Sequence, residues 1–221
     1  MKKRLLTGAF LFALSLNADN TFIHQFFNDK VCDQVLNNDG YFKTCYDYKL
    51  KSAKYVAYTI DGSLVNKKNI KERPRFYEDL NIPKQYRSNY KDYTGSGYDR
   101  GHNFPDADAD YSQRSLRSSY VLSQISPQEP SLNRSKKAWA GLERYERVIA
   151  LKLGEVDVLD GIVFSNKPKR IGHNQIAVPS AFWKMIYSKK NNYQRCFYFD
   201  NKPIDETKSI KDYEVDCNKL F

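Results

Sequence analysis

Tyr98-Asp99-Arg100-Gly101-His102-Asn103-Phe104-Pro105-Asp106-Ala107-Asp108-Ala109-Asp110 is the stretch on which the reading of this chain turns. A flexible approach precedes it, Tyr93-Thr94-Gly95-Ser96-Gly97, and glycine lets the backbone turn sharply and come close to a ligand. His102 is one of only three histidines in 221 residues; the other two, His24 and His173, lie in ordinary polar surroundings. A neutral imidazole beside a carboxylate and a guanidinium suits a general base near neutral pH. The plainer alternative is a structural loop whose histidine packs on its neighbours.

At the N-terminus, Met1-Lys2-Lys3-Arg4 is a basic start, Leu5 to Leu16 a short apolar run, and Asn17-Ala18 offers a small residue for cleavage before Asp19. This is the pattern of a secretory signal peptide over 1–18, too short to span a bilayer stably. The expected location is therefore periplasmic or secreted. No later apolar run reaches membrane-spanning length, and 19–221 reads as a single domain with a sizeable core. Losing the three cations of the leader takes the formal charge from +10 to +7. A positive exported chain with 17 tyrosines suits polyanions, since cations meet phosphates and phenol rings stack on bases. Tyrosine is equally a good strand residue. The four cysteines, Cys32, Cys45, Cys196 and Cys217, are an even count in an exported chain and point to disulfides. Local pairing, Cys32 with Cys45 and Cys196 with Cys217, would tie down each end; two other connectivities are open. The absence of Cys-x-x-Cys spacing argues against zinc.

The elements expected along the chain are mixed. Phe22, Ile23, Phe26, Phe27, Val31, Val35 and Leu36 recur at helical spacing, then Asn37-Asn38-Asp39-Gly40 reads as a turn. Strands are expected at Tyr41–Tyr46 and Lys54–Ile60, with Ser63-Leu64-Val65 opening a partner strand. Residues 66–98 read as a long ordered connection, a common place for function. Ser112–Tyr120 reads as helix, Val121–Gln128 as a strand entering a turn, and a further helix starts near Ser135 or Lys136 with Trp139, Leu142, Tyr145 and Ile149 on one side. The last third suggests strands at Val156–Leu159, Gly161–Phe164, Ile176–Pro179, Phe182–Tyr187 and Cys196–Phe199, then a short helix or extended tail from Ile210.

Hydrolysis of a phosphodiester needs a base for water, a divalent cation to neutralise the phosphate, and cationic side chains for the charge of the transition state. His102 supplies the first. Asn133 offers a neutral carbonyl oxygen, a hard ligand suited to magnesium that keeps most of its waters. Glu143 can hold those waters. Arg147, and an arginine from the pair Arg73 and Arg75, can grip phosphate with a fork. Taken singly, Asn133 reads as a helix cap, Glu143 and Arg147 as a solvated helix pair, and Arg73 and Arg75 as surface cations.

Together these residues resemble the DNA/RNA non-specific endonucleases of the ββα-metal type, marked by Asp-Arg-Gly-His, here Asp99-Arg100-Gly101-His102. A second block matches too: Ser126-Pro127-Gln128, Leu132-Asn133-Arg134, Trp139, Leu142-Glu143, Tyr145 and Arg147. A weaker likeness covers Ile176–Lys184, and the whole resemblance spans about residues 50–205. It implies an α+β fold, a central antiparallel sheet flanked by helices. It implies His102 as general base, Asn133 as the sole direct protein ligand of a magnesium or manganese ion, Glu143 acting on that ion through water, and Arg147 binding phosphate. The family's upstream arginine precedes an aromatic and an acid, matched here by Phe76 and Asp79; Arg73 is the first choice for it and Arg75 the second. Arg100, Arg75 and Arg134 are further candidates for substrate binding. The implied activity is cleavage of DNA and RNA with little sequence preference, leaving 5′-phosphates. The alternatives are an exported basic protein that binds nucleic acid without cutting it, or an inactive relative.

One departure has a structural consequence. The family's Asn-to-Glu separation is usually eight residues, whereas Asn133 and Glu143 are ten apart. Two surplus residues in a continuous helix would turn Glu143 by about 200° to the wrong face. The Trp139, Glu143, Arg147 spacing is intact, so the surplus is expected between Asn133 and Trp139, with the main helix starting after it. A second departure is Gln124, where asparagine is more usual.

Overall fold

The computed structural model describes residues 25–220. The expected signal peptide, His24, and Phe22 and Ile23 of the expected first helix lie outside them. In chain order the elements are β1 (Gln34–Asn38), β2 (Phe42–Asp47), β3 (Ser52–Asp61), β4 (Asp99–His102), α1 (Asp106–Ala109), α2 (Gln113–Ser118), β5 (Ile125–Gln128), α3 (Pro130–Arg134), α4 (Trp139–Leu153), β6 (Glu155–Val163), β7 (Arg170–Ile171), β8 (Ile176–Ala177), β9 (Ala181–Ser188), β10 (Tyr193–Asp200) and β11 (Glu214–Val215). Seven strands form one antiparallel sheet in the order β1-β2-β3-β6-β9-β10-β11. β4 and β5 pair as a separate antiparallel ribbon. No helix among the described residues is long and apolar enough to cross a membrane.

The period of two along the central strands divides their side chains between the two faces of the sheet. Val56, Tyr58, Ile60, Val156, Val158, Ile162, Phe182, Ile186, Phe197 and Phe199 join Trp139, Leu142 and Ile149 of α4 in the main core. Ala57, Leu159, Trp183, Met185 and Cys196 point the other way, under Phe26, Phe27 and Cys32. Each large side chain buried in this way contributes about 1.5–3 kcal/mol. Both disulfides belong to the second face: Cys32–Cys45 and Cys196–Cys217, the local pairing, each closing one end of the domain.

Several expected elements take other forms. Helical spacing before Leu36 gives no helix among the described residues; residues 25–31 are turns and Val35 lies in β1, pinned against β2 by the register and the Cys32 bridge. The turn at Asp39-Gly40 is present, with φ of 55° and 79°. Ser63-Leu64-Val65 is a turn rather than a strand, because β3 already has β2 and β6 on its two edges. The chain leaves β3 at Gly62, whose N–H donates to Gly154 O at 2.8 Å beneath the end of α4. The expected strand from Val121 is regular only over β5; Leu122–Gln124 is a 3-10 turn. The two short strands expected between Val156 and Phe164 are one, β6. The tail is a pair of 3-10 turns around β11.

The region from Asn133 to Arg147 is broken as its spacing requires. α3 ends at Arg134, Ser135 is extended, and α4 begins only at Trp139. The surplus residues are taken up in this link, so the phase of α4 is set from Trp139 onward. Trp139, Glu143 and Arg147 then lie one above another along the helix.

Candidate active site

The β4–β5 ribbon presents the Asp-Arg-Gly-His tetrapeptide. Gly101 sits against Gln128 of β5, where a Cβ would lie 2.1 Å from Oε1 and 2.7 Å from Cβ of that side chain, so this strand position admits no side chain. His102 ends the strand, and its carbonyl accepts a hydrogen bond from Trp139 Nε1 at 3.3 Å, which ties β4 to the first turn of α4. The imidazole is walled by aromatic rings: Phe76 at 5.4 Å and Tyr120, edge-on, at 4.9 Å between centroids. Its Nε2 is buried and has no hydrogen-bond partner among the described residues. Burial lowers the pKa of His102 to about 4; the Asp106 charge works against this and Arg73 with it. The ring is therefore neutral across the physiological range, with a nitrogen free to accept a proton.

The backbone after His102 is held by Gln124, the residue that departs from the usual asparagine. Its Oε1 accepts from the backbone N–H of Asn103 at 3.0 Å and of Phe104 at 2.8 Å, and its amide donates to Phe104 O and Ser119 O. The longer side chain spans from the 3-10 turn to the exit of β4 and fixes the chain there.

Asn133 reaches β4 from α3. Its Nδ2 donates to Asp99 Oδ2 at 2.9 Å, three residues before His102, which leaves the carbonyl Oδ1 without a partner among the described residues. Arg134 forks onto the same carboxylate at 2.8 and 2.6 Å. Burial opposes the Asp99 charge, but the bonds from Arg134 and Asn133 outweigh it and hold the carboxyl below its usual range. Arg134, bound in this way, acts on Asp99 and still exposes most of its surface. Glu143 lies one turn beyond Trp139; burial pushes its carboxyl up to about 8 against the pull of Lys184, with Glu146 adding and Arg147 opposing. Asp106 acts electrostatically on both His102 and Glu143, and the Trp139–His102 hydrogen bond holds the first turn of α4, one turn before Glu143, against the end of β4.

Both forked arginines are already gripped, by residues that sequence reasoning does not single out. Arg73 bridges Asp106 and Asp110, each at 3.3 Å. Arg147 contacts Asp108 at 2.8 Å. The alternating Asp-Ala-Asp-Ala-Asp run of α1 and its C-terminal cap thus carries an arginine on every carboxylate, and Tyr120 adds a hydroxyl bond to Asp106 at 2.7 Å. Arg75, by contrast, is exposed and joins none of these groups. Arg100 stacks on Tyr90, 3.8 Å from the ring centroid.

Beneath Glu143 and Arg147 lies a buried polar cluster. Lys184 of β9 contacts Glu146 at 2.9 Å, Asp160 at 3.5 Å and the Tyr58 hydroxyl at 2.8 Å, with both carboxylates essentially inaccessible. Burial, and then the charge of Glu146, push the Asp108 carboxyl well up, while Arg147 pulls it down.

Among the described residues no three His, Cys, Asp or Glu side chains converge as a metal cage. The donor offered, the carboxamide oxygen of Asn133, fits a hard divalent ion that keeps most of its own waters. This is not a zinc site of the usual kind, which needs three or four converging His, Cys, Asp or Glu ligands.

Comparison with known proteins agrees with this geometry. The family model described as DNA/RNA non-specific endonuclease matches residues 19–220. The chain is 31% identical to Nuclease 1, mitochondrial, of Schizosaccharomyces pombe over 84% of its own length and 62% of that protein's. It is 29% identical to human Endonuclease G, mitochondrial, over 85% of its own length and 66% of that protein's. It thus spans just under two thirds of each relative. A chain in a crystal structure of the EndoG/EndoGI complex superposes with a TM-score of 0.73 at 26% identity, covering 81% of this chain and 79% of that one. With the sheet, the β4–β5 ribbon and α4 arranged around Asp99-Arg100-Gly101-His102, the chain belongs to the DNA/RNA non-specific endonuclease family.

Proposed function

We propose that this chain is an exported, divalent-metal-dependent endonuclease that hydrolyses phosphodiester bonds of DNA and RNA with little sequence preference. The observation that carries the proposal is the buried, unpartnered Nε2 of a neutral His102, at a strand end bonded to the first turn of α4, the helix that carries Glu143. In this reading His102 Nε2 takes a proton from a water molecule as the water oxygen attacks phosphorus. The bond from phosphorus to the 3′ oxygen breaks, leaving a 5′-phosphate and a 3′-oxyanion that takes a proton from water to become the hydroxyl. Arg147 and Arg73 stabilise the charge spread over the phosphate oxygens. Asn133 Oδ1 would hold a magnesium or manganese ion and Glu143 would hold its waters. When bound, the ion neutralises the phosphate and steadies the departing oxygen. Fixing His102 between Phe76 and Tyr120 keeps its nitrogen aimed without a hydrogen bond that would have to break first.

Export is supported by the basic-apolar start of the chain and by two disulfides, which persist in oxidising compartments. The test of function is direct. Purified mature protein with supercoiled plasmid and magnesium is expected to give nicked, then linear, then fragmented DNA, and to degrade RNA, with both reactions stopped by a chelator. Intact nucleic acid in every lane would instead identify a binding protein.

A further inference from the structure

A row of cations and aromatic rings leads away from His102 along β4. Arg100 and His102 share one face of that strand, about 6.6 Å apart, and Tyr98 lies just before it. Their ring contacts agree: Phe76 lies beside His102 and 5.9 Å from the Arg100 guanidinium, and Tyr90 stacks on Arg100 with half of its own surface exposed. Next along the strand, Lys169 lies 4.9 Å from the Tyr98 ring. The loop carrying Lys169 continues into a surface hollow of about 550 Å³ whose wall includes Lys49 and Lys167. Lys49, Lys167 and Lys169 are exposed and form no ion pair among the described residues, unlike Arg73, Arg134 and Arg147 nearer the chemistry. These lysines make no ion pair among the described residues, although Asp47 shares the wall of the hollow, and Tyr90 keeps half of its surface exposed beside Arg100.

We infer that this row, from Tyr90 and Arg100 through Tyr98 and Lys169 to the Lys49–Lys167 hollow, is a path for an unpaired strand of nucleic acid leaving the site. Exposed π faces stack on bases of any identity, and lysines spaced along the path meet successive phosphates. A duplex hides its base faces in its own stack and gains only the phosphate part. The path therefore favours single strands over duplex, and it rests on the nuclease reading above.

The test uses mature protein carrying His102→Ala, so that the strand is bound and not cut, with an oligothymidylate of about 20 nucleotides and a matching duplex as fluorescent probes. Tyr90→Leu is expected to weaken single-strand binding about tenfold, to change duplex binding much less, and to be rescued by Tyr90→Phe. Lys49→Ala, Lys167→Ala and Lys169→Ala together should flatten the slope of log affinity against log salt by about 2 on the single strand, roughly 0.7 for each phosphate that no longer meets a lysine. An unchanged slope, or equal weakening on single strand and duplex, overturns the path. Plasmid cleavage by the wild-type chain is measured in parallel. Cleavage without the single-strand effects rejects the path alone, whereas no cleavage rejects the nuclease reading.

Discussion

At the residue scale, the site is defined by what His102 lacks. A side chain with a buried, unbonded nitrogen and a pKa lowered to about 4 is costly for a fold to keep unless that nitrogen has work to do. Replacement by alanine is expected to lower the cleavage rate by about 10²–10⁴-fold while circular dichroism and melting stay close to wild type; retained turnover would assign the base elsewhere. The pH dependence follows with its sign. The base must be neutral, and His102 is neutral above its lowered pKa, so protonation of the base should take kcat/KM in magnesium down toward pH 4 rather than near 6.5, and any limb near 8 belongs to Glu143. A limb centred near the unperturbed histidine value would show that burial does not govern this group. His102, Asn133, Glu143, Arg73 and Arg147 are proposed from the sequence through the family resemblance, since each taken singly also reads as a cap, a solvated pair or a surface cation. Asp106, Asp108 and Tyr120 are not, because a carboxylate or a phenol becomes a partner only when the fold brings an arginine or a histidine to it.

At the scale of elements, α4 is held by its charges as well as by its apolar side. Lys184 meets Glu146 from the helix and Asp160 from β6 with no solvent between them. Lys184→Met leaves two buried carboxylates without a cation, and unfolding in urea should show a loss of about 3–5 kcal/mol; a loss below about 1 kcal/mol would mean the cluster stabilises nothing. This cluster is invisible in the sequence, since Lys184 alternates with Trp183 and Met185 in a strand that reads as ordinary. The break between α3 and α4, on the other hand, is legible: with Asn133 and Glu143 ten apart rather than eight, a continuous helix would turn Glu143 by about 200° from the family's position. The early apolar spacing misleads for a simple reason. A few apolar residues fit a helical period by chance, and the strand pairing of β1 with β2 and the Cys32–Cys45 bond settle the matter only in three dimensions.

At the scale of the whole molecule, one sheet separates two tasks. The face carrying α4 and the β4–β5 ribbon holds the site, and the opposite face holds both cystines. Each bridge closes a short loop, with partners 13 and 21 residues apart, and a loop of that size is worth about 3 kcal/mol. Reduction is therefore expected to lower the thermal midpoint clearly while leaving the initial cleavage rate at 25 °C within about twofold. A rate that collapses with the bridges while the fold persists would show the two faces to be coupled.

This placement of the cystines bears on the cell that makes the molecule. Under the proposed function, a newly synthesised copy in a reducing compartment would already carry its cutting face, and withholding oxidation would not disarm it; the maker's own nucleic acid would then have to be spared by some other means, such as an unfolded passage across the membrane or a scarcity of the ion.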